Sequence, residues 1–256
     1  MNFSILINNT LLILGLLFSL WVLSVKIKNV SIIDLFWGMG FVILGWVGFL
    51  YLGHLSVRGS IVLGAVTLWG CRLSLYLAFR NAGKPEDFRY QAMRVNMGTH
   101  FAMVSLFSVF WLQGVILLIV SLPLQLALGS TQDLNAIDLF GLLIFLTGFI
   151  FESVGDFQLS RFKSDVANKG KVFDRGLWRY SRHPNYFGDF LVWWGFYLLA
   201  LGAGYEWSII SPLLMSFLLL KVSGVALLEK SLQKKTEGYN SYSQRTSAFF
   251  PMPPHH

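Results

Sequence analysis

The sequence predicts an all-α, polytopic membrane protein with seven transmembrane helices, and two observations support this fold class. The 256 residues are 55% apolar and only 13% charged, whereas about 25% of the residues in an average soluble domain are charged. Several segments also reach the roughly 20 mostly apolar residues that a helix needs to cross a bilayer. The expected spans are 7–26, 30–52, 59–79, 102–127, 138–156, 185–204 and 207–228. Because they leave no room for a separate soluble domain, we expect a single membrane domain, 1–256.

The first four spans differ in where they carry charge. The first has no charged residue before Lys26, and it lacks the basic start and the small-residue cleavage site of a signal peptide, so we expect it to be retained. The second carries Asp34 about one helical turn from its start, together with four glycines that permit close helix packing. The third contains Arg72, and the fourth has no charged residue.

The last three spans place their ionisable residues on one side of the membrane. Glu152 and Asp156 close the fifth span as an i, i+4 pair on one helix face. Asp189 opens the sixth span, while Lys221 and Glu229 lie at the end of the seventh. Ionisable groups within a membrane are functional candidates, and we expect them to face the interior of the bundle. The pattern predicts a cavity with a polar mouth and an apolar end, which suits a charged cofactor and a lipid-soluble substrate.

The placement of basic residues predicts the orientation of the chain. Lysines and arginines follow the first, third, fifth and seventh spans, and the other loops hold only Arg58. By the positive-inside rule, the N-terminus is outside and the C-terminus is cytosolic. The cytosolic parts are then the loops 80–101 and 157–184 and the tail 229–256, which would also attract anionic membrane lipid. We therefore expect a multi-pass membrane protein whose cofactor site faces the cytosol.

The stretch GLWRYSRHPNYFGDF, Gly176 to Phe190, concentrates polar residues directly before the apolar part of the sixth span. Its polar members are Arg179, Arg182, His183, Asn185, Tyr186 and Asp189. Such polarity at the mouth of a hydrophobic span is unfavourable unless a bound group satisfies it, and arginines can pair with phosphates. An ordinary basic flank is the alternative. It would explain the arginines but not the His-Pro-Asn-Tyr run or the carboxylate that follows.

Several other chemistries have no pattern in this chain. There is no nucleotide-binding GxGxxG after a strand, no Walker loop and no Ser-His-Asp set for hydrolysis. The five histidines are dispersed, so neither a metal nor a nucleic acid is an expected partner. Cys71 is the sole cysteine, which excludes an intramolecular disulfide.

The polar stretch resembles the corresponding motif of the steroid 5α-reductase family. This family belongs to a superfamily that also contains sterol C14-reductases and isoprenylcysteine carboxyl methyltransferases. Four further stretches agree with the superfamily, in the same order along the chain: IIDLFWG (32–38), LWGCRL (68–73), RNAGKPEDFRYQAMR (80–94) and LEKSLQKKTEGYNSYSQRTSAFFP (228–251). The second half of the motif, HPNYFGD, and the acidic pair of the fifth span are similar to the reductases, which use NADPH.

The resemblance implies NADPH-dependent reduction of the C4=C5 double bond of a 3-oxo-Δ4 steroid or a similar enone lipid. It also implies a bacterial inner-membrane location. The expected cofactor-binding residues are Lys84, Glu152, Asp156, Arg161, Lys163, Arg179, Tyr180, Arg182, His183, Asn185, Tyr186, Asp189, Glu229 and Arg245. The catalytic candidates are Asp34, Trp69, Arg72 and Tyr76. Trp37 and Trp111 are expected to bind the substrate.

Two questions stay open at the level of sequence. Asp34 could polarise the substrate carbonyl, or it could be a structural partner of Arg72. The chain could also be an S-adenosylmethionine-dependent lipid or isoprenylcysteine methyltransferase, or a non-catalytic sterol-binding membrane protein. S-adenosylmethionine carries no phosphate, so a methyltransferase would not need the observed density of cations.

Overall fold

A computed structural model describes residues 3–222, 224–225, 228–229, 232 and 238–254, and within these the chain is helical and contains no strand. We number the α-helices in chain order. They are α1 (Phe3–Ile27), α2 (Ile32–Leu52), α3 (Val57–Asn81), α4 (Phe88–Met97), α5 (Phe101–Ser105), α6 (Leu112–Val120), α7 (Leu122–Leu128), α8 (Ala136–Ser164), α9 (Pro184–Leu201), α10 (Ile210–Phe217) and α11 (Tyr239–Arg245). Wider, π-type turns occupy Leu106–Trp111 and Leu218–Val222. The predicted all-α class is confirmed for the described part of the chain.

Five helical segments of the described chain are long and apolar enough to cross a membrane. They are Ile7–Ile27, Ile32–Leu52, Val57–Asn81, Phe88–Val120 and Ala136–Ser164. They contain all or most of the first five predicted spans, which supports a multi-pass membrane protein. The count of seven spans and the orientation of the termini stay predictions.

The sixth and seventh predicted spans are less clear-cut. Helix α9 has 18 residues with Asn185 and Asp189 in its first two turns, and it is not among the five segments of the described chain that are long and apolar enough to cross a membrane. The seventh predicted span begins with α10 and the π-type turn that ends at Val222. Part of its remainder, 223–228, lies outside the described residues.

Helix α4 lies within the first predicted cytosolic loop, 80–101, and continues through one short 3₁₀ turn into α5, where the fourth predicted span begins. Asp87 starts this helix, because its carboxylate accepts a hydrogen bond from the Arg89 N–H at 2.9 Å. A capped polar helix therefore occupies part of this connection, and the cytosolic location of the connection stays a prediction.

The chain divides into two compact units, Met1–Leu134 and Asn135–His256. In the first unit, α2 and α3 cross so closely that a Cβ added to Gly38 would lie 2.6 Å from the Gly70 carbonyl oxygen. A Cβ on Gly70 would lie equally close to the Gly38 carbonyl oxygen. Trp69 is fully buried beside this crossing, with its ring 5.8 Å from that of Phe41.

The second unit is built on an antiparallel pair, α8 and α9, joined along a seam of glycines. Three glycines of α8 and three at α9 and its C-terminal end repeat at intervals of seven residues: Gly141, Gly148, Gly155, Gly188, Gly195 and Gly202. A Cβ on Gly148 would lie 2.6 Å from the Gly188 carbonyl oxygen, and one on Gly195 would lie 2.7 Å from the Phe145 Cβ. Small residues at such an interface let two backbones approach closely. The seam therefore sets which residues of α8 lie level with which residues of α9.

Candidate functional site

The polar stretch before α9 is held against the end of α8 by side-chain hydrogen bonds. The Trp178 indole N–H donates to the Gly155 carbonyl at 3.1 Å, and the Leu177 N–H donates to the Gln158 side-chain oxygen at 3.0 Å. Helix α9 then begins at Pro184, a residue whose fixed φ suits a first helical position. These contacts place the first turn of α9 level with the acidic end of the fifth span.

Asp156 and Asn185, both predicted to bind the cofactor, lie together in the structure. The Asn185 amide Nδ2 donates to the Asp156 carboxylate at 3.1 Å, and Asp156 is buried. Their contact is possible because Gly155 allows the Asn185 backbone nitrogen to approach. Glu152, one turn earlier on α8, is buried as well. Asp189 accepts a hydrogen bond from the Trp193 indole at 3.1 Å on its own helix.

A second cluster of the same unit is centred on the Glu229 carboxylate. One oxygen, Oε1, accepts from Arg182 Nε at 2.9 Å, from Tyr239 Oη at 2.8 Å and lies 2.9 Å from His183 Nε2. The other oxygen, Oε2, accepts from Arg182 Nη2 at 3.0 Å. Burial alone would raise the pKa of Glu229, but the hydrogen bonds from His183, Arg182 and Tyr239 outweigh it and lower the pKa to about 2.

Arg182 also ties the C-terminal tail to this cluster. Its Nη1 donates to the carbonyl oxygens of Ser243 and Thr246 at 2.6 and 2.7 Å, so four of the five guanidinium N–H groups are engaged. Tyr242 adds a hydrogen bond from its hydroxyl to the Trp178 carbonyl. Tyr239 and Tyr242 belong to the stretch 228–251 that resembles the superfamily, but no role was predicted for them. The structure uses both to hold the tail.

The other predicted cofactor residues of the second unit are mostly accessible. The exposed members are Arg161, Lys163, Arg179, Tyr180 and Arg245. Tyr186 is partly buried, with its ring stacked 5.7 Å from that of His183. Lys84 belongs to the first unit, where it is exposed in the turn that follows α3.

In the first unit, Asp34 lies beside Tyr90, a residue for which the sequence predicted no role. The Tyr90 hydroxyl donates to Asp34 Oδ1 at 3.2 Å, and the Gln113 amide Nε2 lies 3.4 Å from the same hydroxyl. Arg89 Nη2 is 3.7 Å from Asp34 Oδ2, so Arg89 takes the place that Arg72 was considered for. Tyr90 is buried.

Hydrogen bonds join the turn before α2 to the turn before α4, and this brings Asp34 and Tyr90 together. The Val30 N–H donates to Glu86 Oε1 at 2.7 Å, and the Asp87 N–H donates to the Ser31 hydroxyl at 2.7 Å. Arg94 closes a bidentate pair on Glu86 at 2.8 and 3.0 Å. Burial opposes ionisation of Glu86, but these hydrogen bonds lower its pKa overall. The starts of α2 and α4 are thereby fixed side by side.

The other catalytic and substrate candidates occupy different surroundings. Trp69 is a core residue, and Tyr76 lies under the Arg80 guanidinium, 5.6 Å from its ring centroid. Arg72 lies between them on α3. Trp111 ends the π-type turn, and its indole N–H is buried with no hydrogen-bond partner among the residues that the structure describes.

Trp37 lines a narrow cleft in the first unit, which in this structure is too narrow to hold a water molecule. The other lining residues are Leu17, Ile33, Phe36, Gln113 and Leu117. Gln113 is the polar member of this wall, and it also contacts the Tyr90 hydroxyl. The cleft thus has an apolar wall with a hydrogen-bonding group that leads to the Tyr90–Asp34 pair.

No group of three or more His, Cys, Asp or Glu side chains could hold a metal ion in the part of the chain that the structure describes. This finding includes the acidic residues at the end of α8 and the cluster centred on Glu229.

Comparison with known proteins assigns the chain to a family. Residues 20–246 match the family described as "Protein of unknown function (DUF1295)". The chain belongs to the DUF1295 family. A relative of this DUF1295 protein is "Uncharacterized protein C594.04c" of Schizosaccharomyces pombe, 28% identical over 291 residues, which cover 95% of this chain and 80% of the relative. No solved structure matches.

Proposed function

We propose that this DUF1295 protein is an NADPH-dependent membrane reductase. It would reduce a C=C bond conjugated to a carbonyl in a lipophilic substrate, such as a 3-oxo-Δ4 steroid. The hydrogen bond from Asn185 to the buried Asp156 carboxylate is the observation that carries the proposal. The resemblance of its motif to the steroid 5α-reductase family supplies the reaction class.

The residues around this pair fit a phosphorylated dinucleotide. A carboxylate and a carboxamide offer the acceptors and donors that the nicotinamide amide and ribose hydroxyls need. Arg161, Lys163 and Arg179 are exposed in the same unit and could pair with phosphates. When bound, NADPH would supply the hydride. The chain's own part is to orient the cofactor and to polarise the substrate.

Arg182 and Glu229 take a positioning role in this proposal. Most of the Arg182 N–H groups are committed to Glu229 and to the tail, which leaves little for a phosphate. Glu229 in turn fixes the ring of His183 at the start of α9. Both residues would therefore act on the cofactor through the turn that carries Asn185.

For the substrate, we assign the carbonyl-polarising role to Tyr90. Its hydroxyl is a donor within reach of the cleft wall formed by Gln113, and a donor aimed at a developing oxyanion stabilises the enolate. Tyr90 has one proton, so donating it to the substrate requires the hydroxyl to turn away from Asp34. A protonated Asp34 would then donate to the tyrosine oxygen in turn.

Replacing Tyr90 with phenylalanine is expected to lower kcat by about 10² to 10³, with a smaller change in KM, because one oxyanion donor is lost. The measurement is steady-state NADPH consumption with the substrate that the wild type accepts. Tyr51→Phe is the matched control, since Tyr51 lies at the end of α2 opposite to Asp34 and is 53% exposed. If Tyr90→Phe had the same kcat as Tyr51→Phe, Tyr90 would have no role in catalysis.

The test of the proposed function uses detergent-purified protein, NADPH and a 3-oxo-Δ4 steroid. We expect NADPH to be consumed and the steroid to gain two hydrogens, detected by mass spectrometry. Asn185→Leu should weaken NADPH binding about tenfold or more, because the buried Asp156 carboxylate would lose the hydrogen bond from the Asn185 amide. Asn240→Ala is the control, because Asn240 is exposed on α11.

Two results would overturn this proposal. Binding of S-adenosylmethionine together with no binding of NADPH would indicate a methyltransferase. Unchanged NADPH affinity in Asn185→Leu would show that the Asn185–Asp156 pair does not hold the cofactor.

A further inference from the structure

The end of the chain, 246–252, lies along the turn that precedes α9. Three hydrogen bonds join the two segments: Arg182 N–H to the Ser247 carbonyl at 2.9 Å, Ser181 hydroxyl to the Phe249 carbonyl at 2.8 Å, and Met252 N–H to the Tyr180 carbonyl at 3.0 Å. We call the segment 246–252 the strap. Main-chain atoms of the strap take part in all three hydrogen bonds, which fix it in place.

Aromatic packing fixes the inner side of the strap against α9. The Phe249 ring lies 5.9 Å from that of Phe187 and 5.6 Å from that of Phe190, and Phe249 is buried. Phe187 and Phe190 belong to the first two turns of α9. The strap therefore covers the beginning of that helix.

The strap also exposes apolar side chains. Phe250 is 52% exposed, although its ring lies 5.9 Å from that of Phe187 and 6.1 Å from that of Phe190. Met252 is 51% exposed, and the adjoining Tyr180 is 44% exposed. The Met252–Tyr180 hydrogen bond brings these residues to one place. We call Tyr180, Phe250 and Met252 the outer patch. Exposed apolar side chains grouped in this way mark a surface that contacts something else.

The surroundings of the outer patch are cationic. Arg179 directly precedes Tyr180, and the Thr246 hydroxyl donates to the Arg179 carbonyl at 3.3 Å, which brings Arg245 to the same region. Both arginines are exposed. The segments 174–182 and 238–254 contain four arginines, and Asp174 is their one acidic residue. This combination of apolar and cationic groups complements an anionic lipid surface.

The position of the outer patch along the helices fits the edge of a bilayer. The first turn of α9 is level with Gly155, where a Cβ would lie 3.1 Å from the Asn185 backbone nitrogen. Gly155 lies in the last part of Ala136–Ser164, a helix long and apolar enough to cross a membrane. Aromatic side chains concentrate at this depth in membrane proteins, with arginines reaching to the headgroups.

We propose that the strap docks on the bilayer, with the outer patch inserted among anionic phospholipid headgroups and with Arg179 and Arg245 paired to lipid phosphates. The strap also supplies the Thr246 carbonyl, which accepts from the Arg182 guanidinium, and the Ser247 carbonyl, which accepts from the Arg182 backbone N–H. Lipid docking would therefore stabilise the turn that carries His183 and Asn185. This interaction is separate from the reductase proposal.

The test places an environment-sensitive fluorophore at Met252→Cys in a Cys71→Ser background, with Phe250→Cys as a second position. The labelled protein is placed in nanodiscs with and without anionic phosphatidylglycerol, in the absence of NADPH, because both arginines are also candidates for cofactor phosphates. Val166→Cys is the control, since Val166 is 83% exposed in the loop after α8.

We expect the probes at 252 and 250 to be quenched by spin-labelled lipid and shielded from an aqueous quencher, and the probe at 166 to behave in the opposite way. The lipid quenching should increase with the anionic fraction. Replacing Arg179 and Arg245 with glutamine should weaken docking about fivefold for each arginine.

The proposal is overturned if the probes at 252 and 250 are as accessible to the aqueous quencher as the probe at 166. Lipid quenching that does not depend on anionic lipid would overturn the assignment of anionic headgroups as the partner. Neither result depends on enzymatic turnover, so each is distinguishable from a failure of the proposed function.

Discussion

Replacing Glu229 with alanine is expected to lower the free energy of unfolding by about 3 kcal/mol or more, because removing one member of a buried ion pair leaves the other uncompensated. The Arg182 and Glu229 side chains are only 12% and 15% exposed. The variant would leave Arg182 with two unpaired N–H groups and His183 without the acceptor at its Nε2. Denaturant titration in detergent micelles, followed by tryptophan fluorescence, would measure the loss.

Tyr239→Phe is the matched variant for the same carboxylate. It removes one hydrogen bond of 2.8 Å to Glu229 and keeps the ring, so we expect a loss of only about 1 kcal/mol. Glu229→Gln should fall between the two, since the amide keeps the shape and one acceptor. Equal, small losses in all three variants would show that the cluster does not hold the tail.

The same carboxylate predicts a pH dependence. The pKa of Glu229 is about 2 in the folded protein, below its ordinary value of 4.5. A group whose pKa is lowered by folding stabilises the folded state above its unfolded pKa, and this contribution is lost as the pH falls through the folded pKa. The wild type should therefore lose stability between pH 4.5 and about 2 more steeply than Glu229→Gln does.

Several features of the second unit could be predicted from the sequence, because they lie in one contiguous motif. The HPNYFGD run and the i, i+4 pair of α8 led to Asn185 and Asp156 as predicted cofactor-binding residues, and the structure joins the two by a hydrogen bond. Glu229 was also predicted to bind the cofactor, which stays a prediction, and its contacts with Arg182, His183 and Tyr239 were not predicted. Arg182 was expected to bind phosphate, and only the folded tail shows how many of its N–H groups are already used.

Tyr90 could not be predicted in the same way. Its contact with Asp34 joins positions 56 residues apart. The contact depends on hydrogen bonds from the Val30 and Asp87 N–H groups, which join the turns before α2 and α4. No periodicity of the sequence records such a contact. The Asp-Phe-Arg-Tyr start of α4 does carry the N-cap signal, which could have identified this helix within the connection 80–101.

The seven-residue spacing of the glycines is a second signal that is present in the sequence. Gly148 and Gly188 meet at the centre of the α8–α9 seam, where a Cβ on Gly188 would lie 2.6 Å from the Gly148 carbonyl oxygen and 2.7 Å from the Glu152 Cβ. The obstacle for a new methyl group is therefore mainly backbone, which cannot move without separating the helices. Overpacking of this kind destabilises by about 1 to 3 kcal/mol.

We therefore expect Gly188→Ala to unfold at lower denaturant than the wild type, and to bind NADPH more weakly if the reductase proposal holds. The reason for the second effect is that separation of α8 from α9 would lengthen the Asn185–Asp156 hydrogen bond.

Gly64→Ala on α3 is the matched control for Gly188→Ala. A Cβ at Gly64 would meet nothing within 4 Å, so this variant should gain up to about 1 kcal/mol from the higher helix propensity of alanine. The two substitutions make the same chemical change inside a long helix, yet their effects on stability should have opposite signs. If both variants were equally stable, the close approach of α8 and α9 would not be what fixes Asp156 beside Asn185. Denaturant titrations of the two variants side by side, with NADPH affinity measured on the same samples, decide the point.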